Sequence, residues 1–356
     1  MPKRLMSVST FLLLLLVLVS AFFISMVTPK WTTLSNSTHP TLIHQAGLVG
    51  FPAFREAALR SPHLISIDKG GWANELDAVA RGHTSIDSAR DSYIHGLIMF
   101  DDTSKFDQNC SQLPSCTMAL LPPLPLRPLF DLMFIVDVMC VRSGWRELAA
   151  LPWKIAVLQN TIENGYPHTI ADIICLPVKF AVGSCGNPDS KNYALKVLLH
   201  EKIHVLQRTQ PDLAYKYIFT NLKYVRHCRR THIDPQLSLR TRSNPDLDDW
   251  IYIKRSTHRM ENGTITTLSM SVVMVYSSDN PKSLKDCKIV PMKVSRGHTS
   301  KTDTNIHVND ETMISMYEHP FEEMAYTLSD SIIENSRLQK NCNSIVINKT
   351  FLKLHS

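Results

Sequence analysis

The chain has 356 residues, 44% hydrophobic and 20% charged, a balance that fits a globular protein and excludes a disordered or fibrous one. Its net charge of +6 is modest. The densest basic run, Lys223 to Arg230, has no aromatic ladder or nucleic-acid motif beside it, so it reads as a solvated face and no nucleic-acid partner is expected.

In chain order, residues 1–30 read as a targeting segment. Lys3 and Arg4 precede an apolar run from Phe11 to Val27, broken only by Ser20 and Ser25. The run is close to the ~20 residues a membrane-spanning helix needs. Two outcomes stay open: an uncleaved signal anchor, or a signal peptide cut near Val19–Ser20–Ala21 and a secreted product. In both, the basic residues keep the N-terminus cytoplasmic and send the remainder across the membrane. The eight cysteines and the sequons at Asn36, Asn109, Asn262 and Asn348 all follow the run, which suits an oxidising, glycosylating compartment. Cys110 and Cys116 are close enough to close a small disulfide loop.

Residues 31–123 read as a stalk and N-terminal region of mixed loop chemistry. Leu120 to Pro128 is punctuated by prolines and predicts a non-helical connector. Leu129 to Val141 predicts a buried helix, and Trp145 to Glu163 a second one interrupted near Pro152. Thr169 to Pro177 predicts one β-strand, placed at a sheet edge because Pro177 has no amide hydrogen to donate. A loop follows through Gly183 and Gly186. Ser190 then suits the N-cap of a helix over Lys191–Arg208, with Leu195, Leu199, Ile203 and Leu206 as its buried stripe.

That helix carries His200, Glu201 and His204. Residues four apart on a helix leave the same face one turn apart, so the two imidazoles can share one metal ion. Glu201 projects about 100° away, near enough to take a proton from a water without being a ligand. Zinc hydrolases divide labour this way: neutral nitrogens hold Zn2+ and a carboxylate serves as general base. A catalytic zinc needs a third protein ligand. Gln207 and Gln210 do not continue an HExxHxxGxxH pattern, so the ligand comes from elsewhere. The acidic run Glu318, Glu322, Glu323 beside Pro320, which suits a first helical turn, is the best source. Glu322 shares a face with Ala325, Tyr326 and Ser329, and Ala325 is small enough to allow close approach of two helices. Trp250–Lys254 and Ile265–Tyr276 predict an antiparallel hairpin after a turn at Asn244–Asp249. Tyr326, Tyr276 and His298 are candidates for stabilising an oxyanion. Val182 to Gly186 resembles a nucleophile turn only superficially, and no P-loop or GxGxxG occurs.

The strand, turn and His200–Glu201–Lys202–Ile203–His204 helix resemble the zincin metallopeptidases, and Glu322 followed three residues later by Ala325 resembles their glutamate-ligand group. The departure is Tyr326, where that group more often has Asp. The resemblance covers roughly residues 145–335. It implies an α+β, zincin-like domain over 124–356, with the active-site helix beside a small sheet and a strand at Asp172–Val178 that pairs with substrate. It also implies zinc on His200, His204 and Glu322, Glu201 as general base, and a peptide or protein substrate; the apolar run and the basic residues ahead of it place that hydrolysis outside the cytoplasm. The alternative is a membrane glycoprotein that keeps fold and metal for binding or structure without turnover.

Overall fold

The computed structural model describes residues 45–98, 126–183, 188–259, 265–293 and 317–342. The chain is a mixed α+β protein. Strand β1 (Ala46–Leu48) leads into helices α1 (Phe51–Arg60), α2 (Glu75–Ala80) and α3 (Ile86–His95). Helices α4 (Arg127–Arg142) and α5 (Arg146–Ala149) precede strand β2 (Trp153–Leu158). A hairpin of β3 (His168–Ile170) and β4 (Ile173–Pro177) runs on into α6 (Val178–Gly183), α7 (Pro188–Thr209) and α8 (Pro211–Asn221). After β5 (Tyr224–Arg229) and a short α9 (Pro235–Ser238) come β6 (Trp250–Arg259), β7 (Ile265–Tyr276), β8 (Cys287–Lys293) and finally α10 (Pro320–Cys342).

The first sheet has the order β1-β2-β4-β3. Its first three strands are parallel, and β3 returns antiparallel along β4 as an edge. Strand β2 reads Trp-Lys-Ile-Ala-Val-Leu, and its side chains alternate between two cores. Trp153, Ile155 and Val157 join Leu129, Met133, Leu199 and Met324 from α4, α7 and α10, while Ala156 and Leu158 join Phe54, Ala58 and Tyr93 from α1 and α3. The sheet is therefore a middle layer with helices on both faces, which is why its inner strands are apolar on both sides. The second sheet, β5-β6-β7-β8, is wholly antiparallel.

Several expectations are corrected. Trp145–Glu163 is not a helix: after the single turn of α5, Trp153–Leu158 is an inner strand. Its apolar run, buried on both faces, has no period that separates it from a buried helix. Thr169–Pro177 is a tight hairpin and not one strand, turning at Ala171, whose φ of 49° is left-handed. The Asp172–Val178 strand expected at the edge is thus interior, because β3 folds back to cover it, and Pro177 sits at the last paired position of β4. Pro128 lies in the first turn of α4, where its missing amide hydrogen costs nothing. Helix α7 starts at Pro188 for the same reason, ahead of Ser190, and part of the expected loop is α6.

Among the described residues, those on either side of position 123/124 fall in one compact unit. Strand β1 hydrogen-bonds to β2, and α2 is tied in by a buried polar network. Asn74 and Asp77 cap α2 reciprocally, and Asp77 also accepts from Tyr276 Oη (2.8 Å) and the Ser243 amide (3.0 Å). Arg81 donates twice to the buried Glu163 carboxylate, at 2.8 and 2.9 Å.

A second buried pair holds α7 in place. Lys202 Nζ and the Trp153 indole N–H (3.1 Å to each oxygen) both donate to Asp137 on α4, with Lys202 lying 4.3 Å over the Trp153 ring.

Among the described residues no helix is long and apolar enough to cross a membrane. The run Phe11–Val27, the four sequons, His298, Cys110, Cys116 and Cys185 lie outside them. Cys140, Cys175, Cys228 and Cys287 are free.

Candidate metal centre

Helix α10 lies antiparallel along α7. Lys196 pairs with Asp330 (2.7 Å), His200 meets Glu322, and Gln207 reaches the Phe321 carbonyl, so rising numbers on one helix meet falling numbers on the other. Ala325 is fully buried between them, as close helix packing requires.

This packing brings His200, His204 and Glu322 together. The two Nε2 atoms are 3.0 Å apart, His200 Nε2 is 3.4 Å from Glu322 Oε2, and His204 Nε2 is 3.7 Å from Oε1. Ligand atoms bound tetrahedrally to zinc at ~2.0–2.2 Å lie about 3.3–3.6 Å from one another. The three separations bracket that range, so the donor set fits zinc in number, chemistry and spacing. Among the described residues this is the one group of three His, Cys, Asp or Glu side chains that converges so closely.

The neighbouring acids are engaged elsewhere. Glu318 accepts from Arg242 and from Asn244 (3.4 Å). Glu323 accepts from Tyr224 (2.7 Å) and Lys254 (2.7 and 2.9 Å). A step of one residue along α10 rotates the side chain about 100°, which takes Glu323 away from α7.

The three side chains are also strongly coupled electrostatically. Burial alone pushes the His200 imidazole down, but the hydrogen bond and charge of Glu322 raise it to about 9. Burial holds His204 neutral, down to about 3. Burial works against the Glu322 carboxylate too, yet the two imidazoles keep it ionised, at about 2. One proton is therefore shared where a metal ion would sit. Zinc has to displace that proton, so its affinity should rise about tenfold per pH unit from 6 to 9 and then level off. Competition against a chromophoric chelator across that range measures the slope. A flat profile would mean that His200 is not a ligand.

Gln207 had no assigned role in the sequence and proves to be the outer support of the site. Its amide nitrogen donates to Phe321 O (2.9 Å), which leaves its carbonyl oxygen to accept from His204 Nδ1 (2.8 Å). Nδ1 therefore carries the hydrogen and Nε2 keeps its lone pair for a metal. Position i+3 from His204 on the same helix was the available signal. Gln207→Leu should weaken zinc binding by about 10–100-fold with the fold intact, measured by the same competition.

Glu201 points toward the sheet and is 3% exposed. Its Oε2 accepts from Thr169 Oγ1 on edge strand β3 (2.9 Å). Burial, and next the charge of Asp246, raise the Glu201 carboxyl to about 8. The outward amide of Thr169 donates to Asp246 Oδ1 (2.7 Å), so this edge position is already filled from within the chain. No backbone pairing between β3 and a peptide at that position is possible while Asp246 stays there.

The Tyr326 ring lies 4.5 Å from the His200 ring and is 39% exposed, at the open side of the centre. Tyr276 is elsewhere, its hydroxyl on Asp77. A cavity of about 750 Å3 has Gln207 and Phe321 in its wall but none of His200, His204 and Glu322. Comparison with protein-family models, with curated proteins and with solved structures finds no match for the chain.

Proposed function

We propose that the chain is a zinc-dependent peptidase with a zincin-like arrangement, held at or exported across a membrane so that it works on peptides outside the cytoplasm. The observation that carries this reading is the convergence of His200, His204 and Glu322, contributed by two helices, with Glu201 one residue from a ligand. Supporting it are a carboxylate from a second helix that runs antiparallel to the His200 helix, and the contact of Glu201 with the antiparallel edge strand β3. The location rests on the apolar run and the basic residues ahead of it.

Zinc, when bound, supplies a Lewis acid and makes water a nucleophile near neutral pH. Glu201 accepts the proton of the attacking water as the new C–O bond forms. It returns that proton to the amide nitrogen as the C–N bond breaks, so the acid and amine products balance. Burial keeps the Tyr326 phenol protonated, its pKa raised to about 12, so its hydroxyl can donate to the oxygen on which negative charge develops.

The capped edge strand favours a second reading, a metal-stabilised binding domain without turnover, because Asp246 holds the amide that a bound peptide would use. One experiment separates the two. Purified wild type should carry one zinc and hydrolyse members of a peptide library, with activity removed by a chelator and restored by zinc. Glu322→Ala should lose both zinc and activity, whereas Glu318→Ala and Glu323→Ala should keep zinc. Zinc without hydrolysis would favour the binding domain, and a chain with no metal would remove both readings.

A further inference from the structure

We infer that Thr169 is the positioning residue of the Glu201 carboxylate, and that Asp246 in turn fixes Thr169; this rests on the peptidase reading above. Three segments meet here: edge strand β3, helix α7 and the turn at Asn244–Asp249. Successive side chains of a strand leave on opposite faces. His168 turns toward α3, where Tyr93 Oη lies 2.6 Å from its Nε2. Thr169 therefore turns toward α7.

Its hydroxyl is wholly buried, so it needs a partner to offset the cost of leaving water. The partners it meets are both on Glu201: Oε2 at 2.9 Å and the backbone carbonyl at 3.4 Å. A hydroxyl has one hydrogen to donate, so it holds one carboxylate oxygen and leaves the other for proton transfer. A glutamate side chain free to sample its rotamers must be ordered in each turnover, at a cost in conformational entropy. The Thr169 bond orders it beforehand, and a base has to lie within about 2.6–3.2 Å of the proton it takes.

Thr169 is itself held from outside the strand. Its amide donates to Asp246 Oδ1 at 2.7 Å, and the Asp246 amide donates to Asn244 Oδ1 at 2.9 Å. Arg208, one turn beyond His204 on α7, reaches back to the carbonyl of Pro245 and lies 3.9 Å from Asp246 Oδ1. The helix that carries the base thus braces the turn that braces the strand, and the strand orients the base. A threonine kept only for strand packing would need neither the hydroxyl nor its bond to Glu201.

Two variants separate positioning from packing. Thr169→Val keeps shape and strand preference but removes the hydroxyl; Thr169→Ser restores it. With the zinc-loaded full chain, Thr169→Val should keep its zinc and its KM within about twofold while kcat falls about 10–100-fold, the scale of outer-shell partners, and Thr169→Ser should recover most of the loss. An unchanged kcat in Thr169→Val, a Ser variant as impaired as Val, or loss of zinc from Thr169→Val would each overturn the inference. A second readout needs no turnover: the affinity of the cobalt-loaded chain for acetohydroxamate, followed by visible absorption, since a bound hydroxamate gives its proton to the same carboxylate. A loss in Thr169→Val that Ser restores would support positioning even if wild type cleaves no peptide, which would count against the peptidase reading alone. Equal affinity in all three proteins would overturn it, and a wild type that takes up neither metal overturns both.

Discussion

Glu201→Gln should leave zinc bound and slow peptide hydrolysis by about 10²–10⁴-fold, the usual contribution of a general base. The substitution preserves shape, and the Thr169 hydroxyl at 2.9 Å can donate equally well to a glutamine oxygen. Zinc should stay because the proposed ligand atoms belong to His200, His204 and Glu322, which Glu201→Gln leaves untouched. What disappears is the acceptor for the proton of water. The contrast with Glu322→Ala is therefore qualitative: one variant keeps metal and loses rate, the other loses both. Metal analysis and initial rates on the same preparations decide the matter. Full activity in Glu201→Gln would place the chemistry elsewhere, and loss of zinc from it would mean that Glu201 is a ligand.

The second large effect concerns stability. Asp137→Ala should cost about 3–5 kcal/mol, because it leaves the Lys202 ammonium buried without a counter-charge. Asp137 is wholly buried and Lys202 is 1% exposed, so water cannot take over the lost contact. Burial already pushes the Lys202 ammonium toward its neutral form, against the pull of Asp137. Trp153 would lose the acceptor of its indole hydrogen as well. A loss of this size is a large part of the ~5–15 kcal/mol that holds a typical domain together. Removing both charges behaves differently: Asp137→Leu with Lys202→Met should cost clearly less than Asp137→Ala, since an ion pair of this kind scarcely exceeds its own desolvation cost and what remains is the ~1–3 kcal/mol of a buried Trp153 N–H without an acceptor. Urea unfolding of the three proteins tests this, and a single-variant loss below about 1 kcal/mol would show that the pair is not desolvated.

The two helices of the candidate site were legible because each carries its own local signal. The spacing of His200 and His204 fixes a shared face, and Pro320 marks the start of α10, so its register follows and Glu322 emerges ahead of Glu318 and Glu323. Strand β2 was not legible, since a strand buried on both faces has no alternation to detect. The β3–β4 hairpin was hidden because its turn uses Ala171 and Asp172, with no glycine or Asn-Gly pair to announce it. Thr169 and Asp246 carry no local mark at all. They lie 77 residues apart in sequence and matter only through a bond that the finished fold creates. Gln207 falls between: its helical position was readable, but its partner Phe321 was 114 residues away.

The N-terminal segment from 45 to 98 behaves in folding terms as an inseparable part of the body that carries the site. Expressing the chain from residue 124 onward, as its motifs invite, would strip β1 from β2 and expose a strand edge with free hydrogen-bonding groups. It would also uncover the face of the sheet that Phe54, Ala58 and Tyr93 cover, and leave Glu163 charged and buried without Arg81. Such a fragment would present a sticky sheet to its neighbours and precipitate, even with every proposed metal ligand intact. A fragment that keeps this edge and face covered therefore has to begin before residue 46, well upstream of His200, His204 and Glu322.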